Sequence, residues 1–284
     1  MLFAFCAWFC AHKGLDYHEE LSLDFTDSGL PCVDISVEGT ICPVVIDLGS
    51  RLEMNLQSEV LQNLSKFPAG TEEWRNFRGT EFTRINYKIP EIKLGSLCFK
   101  NSIATEEFLN EEECHIIWRD PSVEKKHKKT VGSLGRKLFK SVNLLFDIRN
   151  SKMIATNDFN RLKDSGYDLK TYLKIPFMVH PKGIMLNIDA DIGNLSLLLD
   201  TGTTSTVIHE YLYPADTDKI FDYRGLPIFS SEKFCIKDRD FGPIDLYFLK
   251  MTEKLYDIDG LLGMDFIKEH VIYVDFSKNE IYIQ

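Results

Sequence analysis

The sequence has little that would draw it to a polyanion. Across 284 residues, 33 Lys and Arg stand against 43 Asp and Glu, a net charge of −10, and no basic stretch carries interleaved aromatics. That balance argues against nucleic acid and against an anionic membrane surface as partners. Metal-ligand spacing is missing too. None of the seven cysteines forms a Cys-x-x-Cys pair, and Cys114-His115 stand too close together for a two-ligand clamp, so no metal is expected. None of the seven histidines stands at a spacing that pairs it with Ser or Cys as a triad. An odd number of cysteines leaves at least one thiol unpaired or paired between chains.

The apolar run Leu2 to Ala11 is too short to cross a bilayer. It has the length of a signal-peptide core but lacks a basic n-region and a small-x-small cleavage site. Residues 1–20 are read as a leader or N-terminal segment, and a secreted or extracytoplasmic location is favoured over the cytoplasm. The segment is short for a zymogen prosegment, so activity without processing is expected.

The residues that are present centre on one stretch. The apolar run Leu195-Ser-Leu-Leu-Leu199 leads straight into Asp200-Thr201-Gly202-Thr203. An ionised carboxylate at the end of a buried strand is costly unless it is hydrogen-bonded, paired or functional. Gly202 permits a sharp turn and a close approach, and Thr203 offers a hydroxyl near the carboxylate. Alone, such a motif also fits an ordinary Asp-capped turn.

An internal repeat adds weight. Pro43-Val-Val-Ile46 leads into Asp47-Leu48-Gly49-Ser50, at an offset of 200 − 47 = 153. Upstream, Leu21 to Gly29 mirrors Ile175 to Gly183, each followed by an alternating strand, Val33–Val37 and Leu186–Ala190. Downstream, Arg78-Gly79 matches Arg224-Gly225, and Leu94-Gly95 matches Phe241-Gly242. Gly132-Ser-Leu-Gly135 matches Gly260-Leu-Leu-Gly263 at an offset of 260 − 132 = 128, which carries Asp147 onto Asp275 and Ile154 onto Tyr282. The smaller offset puts an insertion between Gly95 and Gly132 of the first copy. The charge runs Glu111–Glu113 and Lys125–Lys129 fall inside it and read as solvated loop. Helical turns are expected over Gln57–Leu64, Leu134–Lys140, Asn157–Leu162, His209–Leu212 and Met264–His270. Trp74 and Trp118 are read as core, and Tyr87 and Phe82 as hairpin packing.

With Leu261-Leu262-Gly263, Met264–His270 and the two runs around Ser277-Lys278-Asn279, the sequence resembles the aspartic peptidases. In that family a catalytic Asp-Thr-Gly loop sits against a hydrophobic-hydrophobic-Gly segment, followed by a short helix and a final hairpin. The duplication resembles the bilobal, pepsin-like form, while Asp-Gly-Leu-Leu-Gly-Met-Asp-Phe is closer to single-lobe retropepsin-like enzymes. The resemblance implies an all-β fold of two related closed lobes with a few short helices and a cleft between them. Residues 21–154 form the first lobe, 155–174 the connection and 175–284 the second lobe.

The implied activity is endopeptidase. Asp47 and Asp200 form a dyad that activates a water, and Gly49, Ser50, Thr201, Gly202 and Thr203 support it; the Ser50 and Thr203 hydroxyls bond the neighbouring Asp. The substrate is a polypeptide, no cofactor is needed, and a monomer is expected because one chain holds both carboxylates. One departure bears on this. The family has Thr or Ser after each catalytic Asp, locking the two loops together, and Leu48 has no hydroxyl to do so. A catalytically inactive relative that binds peptides or a partner protein stays open, as does a plain β-sandwich without a site.

Overall fold

The computed structural model describes residues 16–75, 81–107, 128–181, 183–215, 220–221, 225–251 and 257–284. The run Leu2–Ala11, the Glu111–Glu113 charges, Trp118, Arg78-Gly79 and Arg224 lie outside them, as do the side chains of Trp74 and Phe82.

Period-two burial builds the strands. In Pro31–Val37 the side chains of Val33, Ile35 and Val37 are buried while Asp34 is exposed; in the next strand, Thr40–Asp47, Cys42, Val44 and Ile46 are buried. The two strands pair through a two-residue turn, Glu38-Gly39, in which both residues have positive φ (53° and 83°), the geometry that closes a tight hairpin.

The strand ending at Asp47 then runs parallel to Gly132–Gly135, with Asp47 opposite Gly135. That segment is antiparallel to Met54–Gln57, which in turn is parallel to Leu97–Glu107. The second half repeats the arrangement. Gly193–Leu199, ending before Asp200, is parallel to Gly260–Leu262, which is antiparallel to Val207–His209, itself parallel to Ile244–Leu249. A Cβ at Gly132 would stand 2.1 Å from the Asn55 carbonyl oxygen, and one at Gly260 would stand 2.0 Å from that of Val207. Both crossings therefore require glycine.

The lobes are joined by a six-stranded sheet to which each contributes three strands: His18–Ser22, Lys152–Thr156 and Leu144–Asp147 from the first, Ile272–Asp275, Glu280–Ile283 and Leu173–Pro176 from the second. Its central pair sets Leu144 opposite Val274, Leu145 opposite Tyr273 and Phe146 opposite Ile272. The repeat offset of 128 turns this pairing into itself, since 273 − 145, 272 − 144 and 274 − 146 all equal 128. An approximate two-fold axis thus passes between Leu145 and Tyr273. The outer pairings obey it as well: Leu21 faces Met153 and Ile175 faces Ile281, with 281 − 153 = 128. Alternate residues turn to opposite faces. Leu144, Phe146, Ile272 and Val274 join the core of the lobes, while Leu145, Ile154, Tyr273 and Tyr282 pack under the segment carrying Leu162, Tyr167, Leu169 and Tyr172.

The structure moves several expected boundaries. His18–Ser22 is a strand of the shared sheet, so the break expected at 20/21 falls inside it; the breaks at 154/155 and 174/175 likewise fall inside strands. Helical turns form at Ser58–Gln62, Phe159–Asp164, Glu210–Leu212 and Met264–Ile267. No helix forms over Leu134–Lys140. There the chain leaves its strand through i→i+3 bonds, Leu138 N–H to Gly135 O and Phe139 N–H to Arg136 O, whereas the second lobe closes a full turn with Ile267 N–H on Gly263 O.

Candidate active site

Each Asp sits at the end of an apolar strand, at the start of a tight turn held by backbone donors. The Ser50 N–H donates to Asp47 Oδ1 at 2.9 Å, and the Gly202 N–H donates to Asp200 Oδ1 at 2.8 Å. The two turns meet across the lobe boundary. A Cβ on Gly49 would stand 2.4 Å from the Asp200 carboxyl carbon, and one on Gly202 would stand 2.7 Å from that of Asp47. Only residues without a Cβ let each carboxyl lie this close to the opposite loop, and the two carboxyls act on each other's ionisation. Both Asp residues are half-buried.

Burial is the largest influence on both carboxyls and raises the pKa of each. The charge of Asp47 acts next on Asp200, which is pushed up to about 8. On Asp47 the N–H groups of Ser50 and Gly49 oppose the rise. Like charges this close share one proton.

Thr201 locks the loops. Its buried hydroxyl accepts the Leu48 N–H at 2.9 Å and donates to the Ile46 carbonyl at 2.6 Å, both in the other lobe. Leu48 makes no reciprocal bond; its side chain is fully buried in the apolar core. The hydroxyls of Ser50 and Thr203 do not hold the carboxyls in the expected way. The Ser50 hydroxyl accepts the Leu52 N–H at 3.3 Å, and Thr203 serves through its carbonyl, which accepts the Met264 N–H at 2.9 Å. In these turns the backbone N–H groups already point at the carboxylates, and the Ser50 hydroxyl braces its loop.

Sequence reasoning missed three groups. Thr206 supports the second loop, donating to Asp265 Oδ1 at 2.8 Å and accepting the Gly263 N–H at 3.2 Å. Arg51, just past the first Asp loop, pairs with Glu72 on the strand Phe67–Arg75. Arg136 follows Gly135 and donates from Nη1 to the Gly49 carbonyl at 2.9 Å and from Nη2 to the Pro181 carbonyl at 2.6 Å. Its signal was available: the repeat sets Arg136 on Met264, a cation against a buried apolar residue. Arg136 N–H bonds the Ser50 carbonyl at 3.1 Å as Met264 N–H bonds that of Thr203, so the two positions are structurally equivalent.

No family model matches the sequence, and no curated protein matches it. The structure is similar to the crystal structure of an aspartic proteinase from Irpex lacteus, with a TM-score of 0.59 over 94% of this chain and 97% of that one, at 13% identity. Likeness at that identity speaks for the fold, and the chain has the bilobal, all-β fold of a pepsin-like aspartic proteinase.

Proposed function

We propose that this chain is an aspartic endopeptidase whose Asp47 and Asp200 hydrolyse peptide bonds. The observation that carries the reading is the meeting of two half-buried carboxyls at the junction of the lobes, each set against the glycine of the opposite loop. Such a pair holds one proton and one negative charge, the two things that hydrolysis by an activated water requires.

In the first step ionised Asp47 takes a proton from a water placed between the carboxyls, while protonated Asp200 donates a hydrogen bond to the scissile carbonyl. The water oxygen attacks the carbonyl carbon, and the Asp200 proton passes to the developing oxyanion, giving a neutral gem-diol. Asp47 then gives its proton to the amide nitrogen as the C–N bond breaks. A gem-diol proton returns to Asp200, leaving one carboxyl protonated and the other ionised. The substrate class is polypeptide.

Digestion of a peptide library across pH tests the reading. Wild type should cleave, and Asp47→Asn and Asp200→Asn should each lower kcat by at least about 1,000-fold, the scale of losing a proton-transfer group together with its charge. Equal cleavage by the Asp200→Asn protein would sink the claim. A second reading, a cleft that binds peptides without cleaving them, draws on Leu48. It predicts that a statine-type peptide mimic binds while no peptide is cut.

A further inference from the structure

We propose that Arg136 is a positioning residue that clamps the two lobes beside the dyad, in place of the reciprocal loop contact that Leu48 cannot make. The inference rests on the peptidase reading, because it assigns Arg136 a task at that dyad.

Two departures from symmetry in this site stand side by side. At the residue after the Asp, the second lobe has a hydroxyl, Thr201, and the first has Leu48; at the residue after the later Gly, the second lobe has Met264 and the first has Arg136. Thr201 reaches from the second lobe to the Leu48 N–H and the Ile46 carbonyl of the first. Nothing on Leu48 can reach back. Arg136 does so with its guanidinium, one nitrogen on Gly49 of its own lobe and another on Pro181 of the other, in the turn between Met178–His180 and Gly183–Ala190. A planar, two-armed donor suits that bridge, and a single-point ammonium does not. The carbonyl it grips is that of the glycine standing against Asp200, so the clamp sets the approach of the two carboxyls.

The guanidinium is also a charge. It favours ionisation of both Asp47 and Asp200, which supports the assignment but does not carry it. Other charged groups on these elements are Arg51, paired with Glu72; Glu107, on which Arg84 acts; Asp265, bound by Thr206; and His180, next to Pro181 in sequence and paired with Asp257. Of these, Arg51 acts directly on Arg136 and Glu107 acts on Asp47.

The test compares Arg136→Met, Arg136→Lys and Leu48→Thr, alone and combined. The dyad is titrated by 13C NMR of protein carrying labelled aspartate, a readout that needs no substrate. Removing the charge in Arg136→Met should raise the upper titration step by about one pH unit, and Arg136→Lys should hold it near wild type. Both variants should lose about 10-fold in kcat with little change in KM, because neither restores the two-armed grip. Leu48→Thr should raise kcat at least about threefold more in the Arg136→Met protein than in the wild type, the coupling expected of contacts that share one task. An unmoved titration in Arg136→Met, or an equal Leu48→Thr effect in both backgrounds, overturns the clamp. If no variant or wild type cleaves peptides, the peptidase reading fails, while the titration and the coupling of the two positions in melting temperature still decide the clamp.

Discussion

At the scale of single residues, Thr201 carries the lock that a symmetric pair of hydroxyls would share. Replacing it by the near-isosteric Val leaves the buried Leu48 N–H and Ile46 carbonyl without the partners they now have. A buried backbone group stripped of its bond costs about 1–3 kcal/mol. Thr201→Val should therefore lower the melting temperature and reduce kcat more than it changes KM; unchanged values in both measurements would show that the loops are held by other contacts. The Asp loops themselves were readable as residues, because a carboxylate at the end of an apolar strand followed by Gly is costly without a partner. Arg136 was not read. Both its partners are backbone carbonyls, which leave no mark in a sequence, and only comparison with Met264 exposes it.

At the scale of elements, the two terminal hairpins show how far the repeat reaches. Asp147 and Asp275 occupy equivalent buried positions and cap their turns by accepting nearby donors, Asn150 N–H at 3.2 Å in one and Ser277 N–H and Lys278 N–H at 3.1 Å in the other. Four residues on, Ser151 and Asn279 both take positive φ, 51° and 54°. Asn tolerates that region better than Ser, and Gly better still. Ser151→Gly should stabilise the protein by about 0.5 kcal/mol, read as a rise of roughly 1–2 °C in melting temperature; a fall would mean that the Ser151 side chain does more than fill the turn. The hairpins were legible because a gapless match runs through them. The absence of a helix after Gly135 was not, since the same apolar residues serve a string of turns or a helix, and backbone hydrogen bonding decides between them. His18–Ser22 was missed for a different reason. It is half-exposed and rich in charge, and it shows no alternation to mark an edge strand.

At the scale of the whole molecule, the dyad links function to stability. The folded Asp200 carboxyl binds its proton more tightly than an unfolded one would, to about 8 against 3.8. A raised folded pKa adds stability that is present in full below the unfolded pKa and is lost as pH rises through the folded value. Wild type should therefore lose stability between about pH 4 and pH 8 relative to Asp200→Asn, which cannot ionise, with the gap in melting temperature widening across that window. Raised carboxyls elsewhere, Glu107 and Asp265, belong to both proteins and cancel in the comparison. A gap that stays flat with pH would mean that Asp200 keeps an ordinary affinity for its proton. The same assignment places the alkaline limb of any activity profile near pH 8, where the dyad gives up its last proton.

The sheet that joins the lobes also limits how the chain can be trimmed. His18–Ser22 is hydrogen-bonded along Lys152–Thr156, and just before it the Tyr17 N–H reaches the Asn157 side chain at 2.9 Å while its hydroxyl accepts the Asn143 N–H at 2.6 Å. A protease removing residues up to Asp16 leaves all of these in place, whereas a cut after Glu20 takes half of a strand from the seam between the lobes. Trimming of the N-terminus by an added protease should therefore stop ahead of Tyr17, and the N-terminal residue of the stable product found by mass spectrometry should lie at or before that tyrosine.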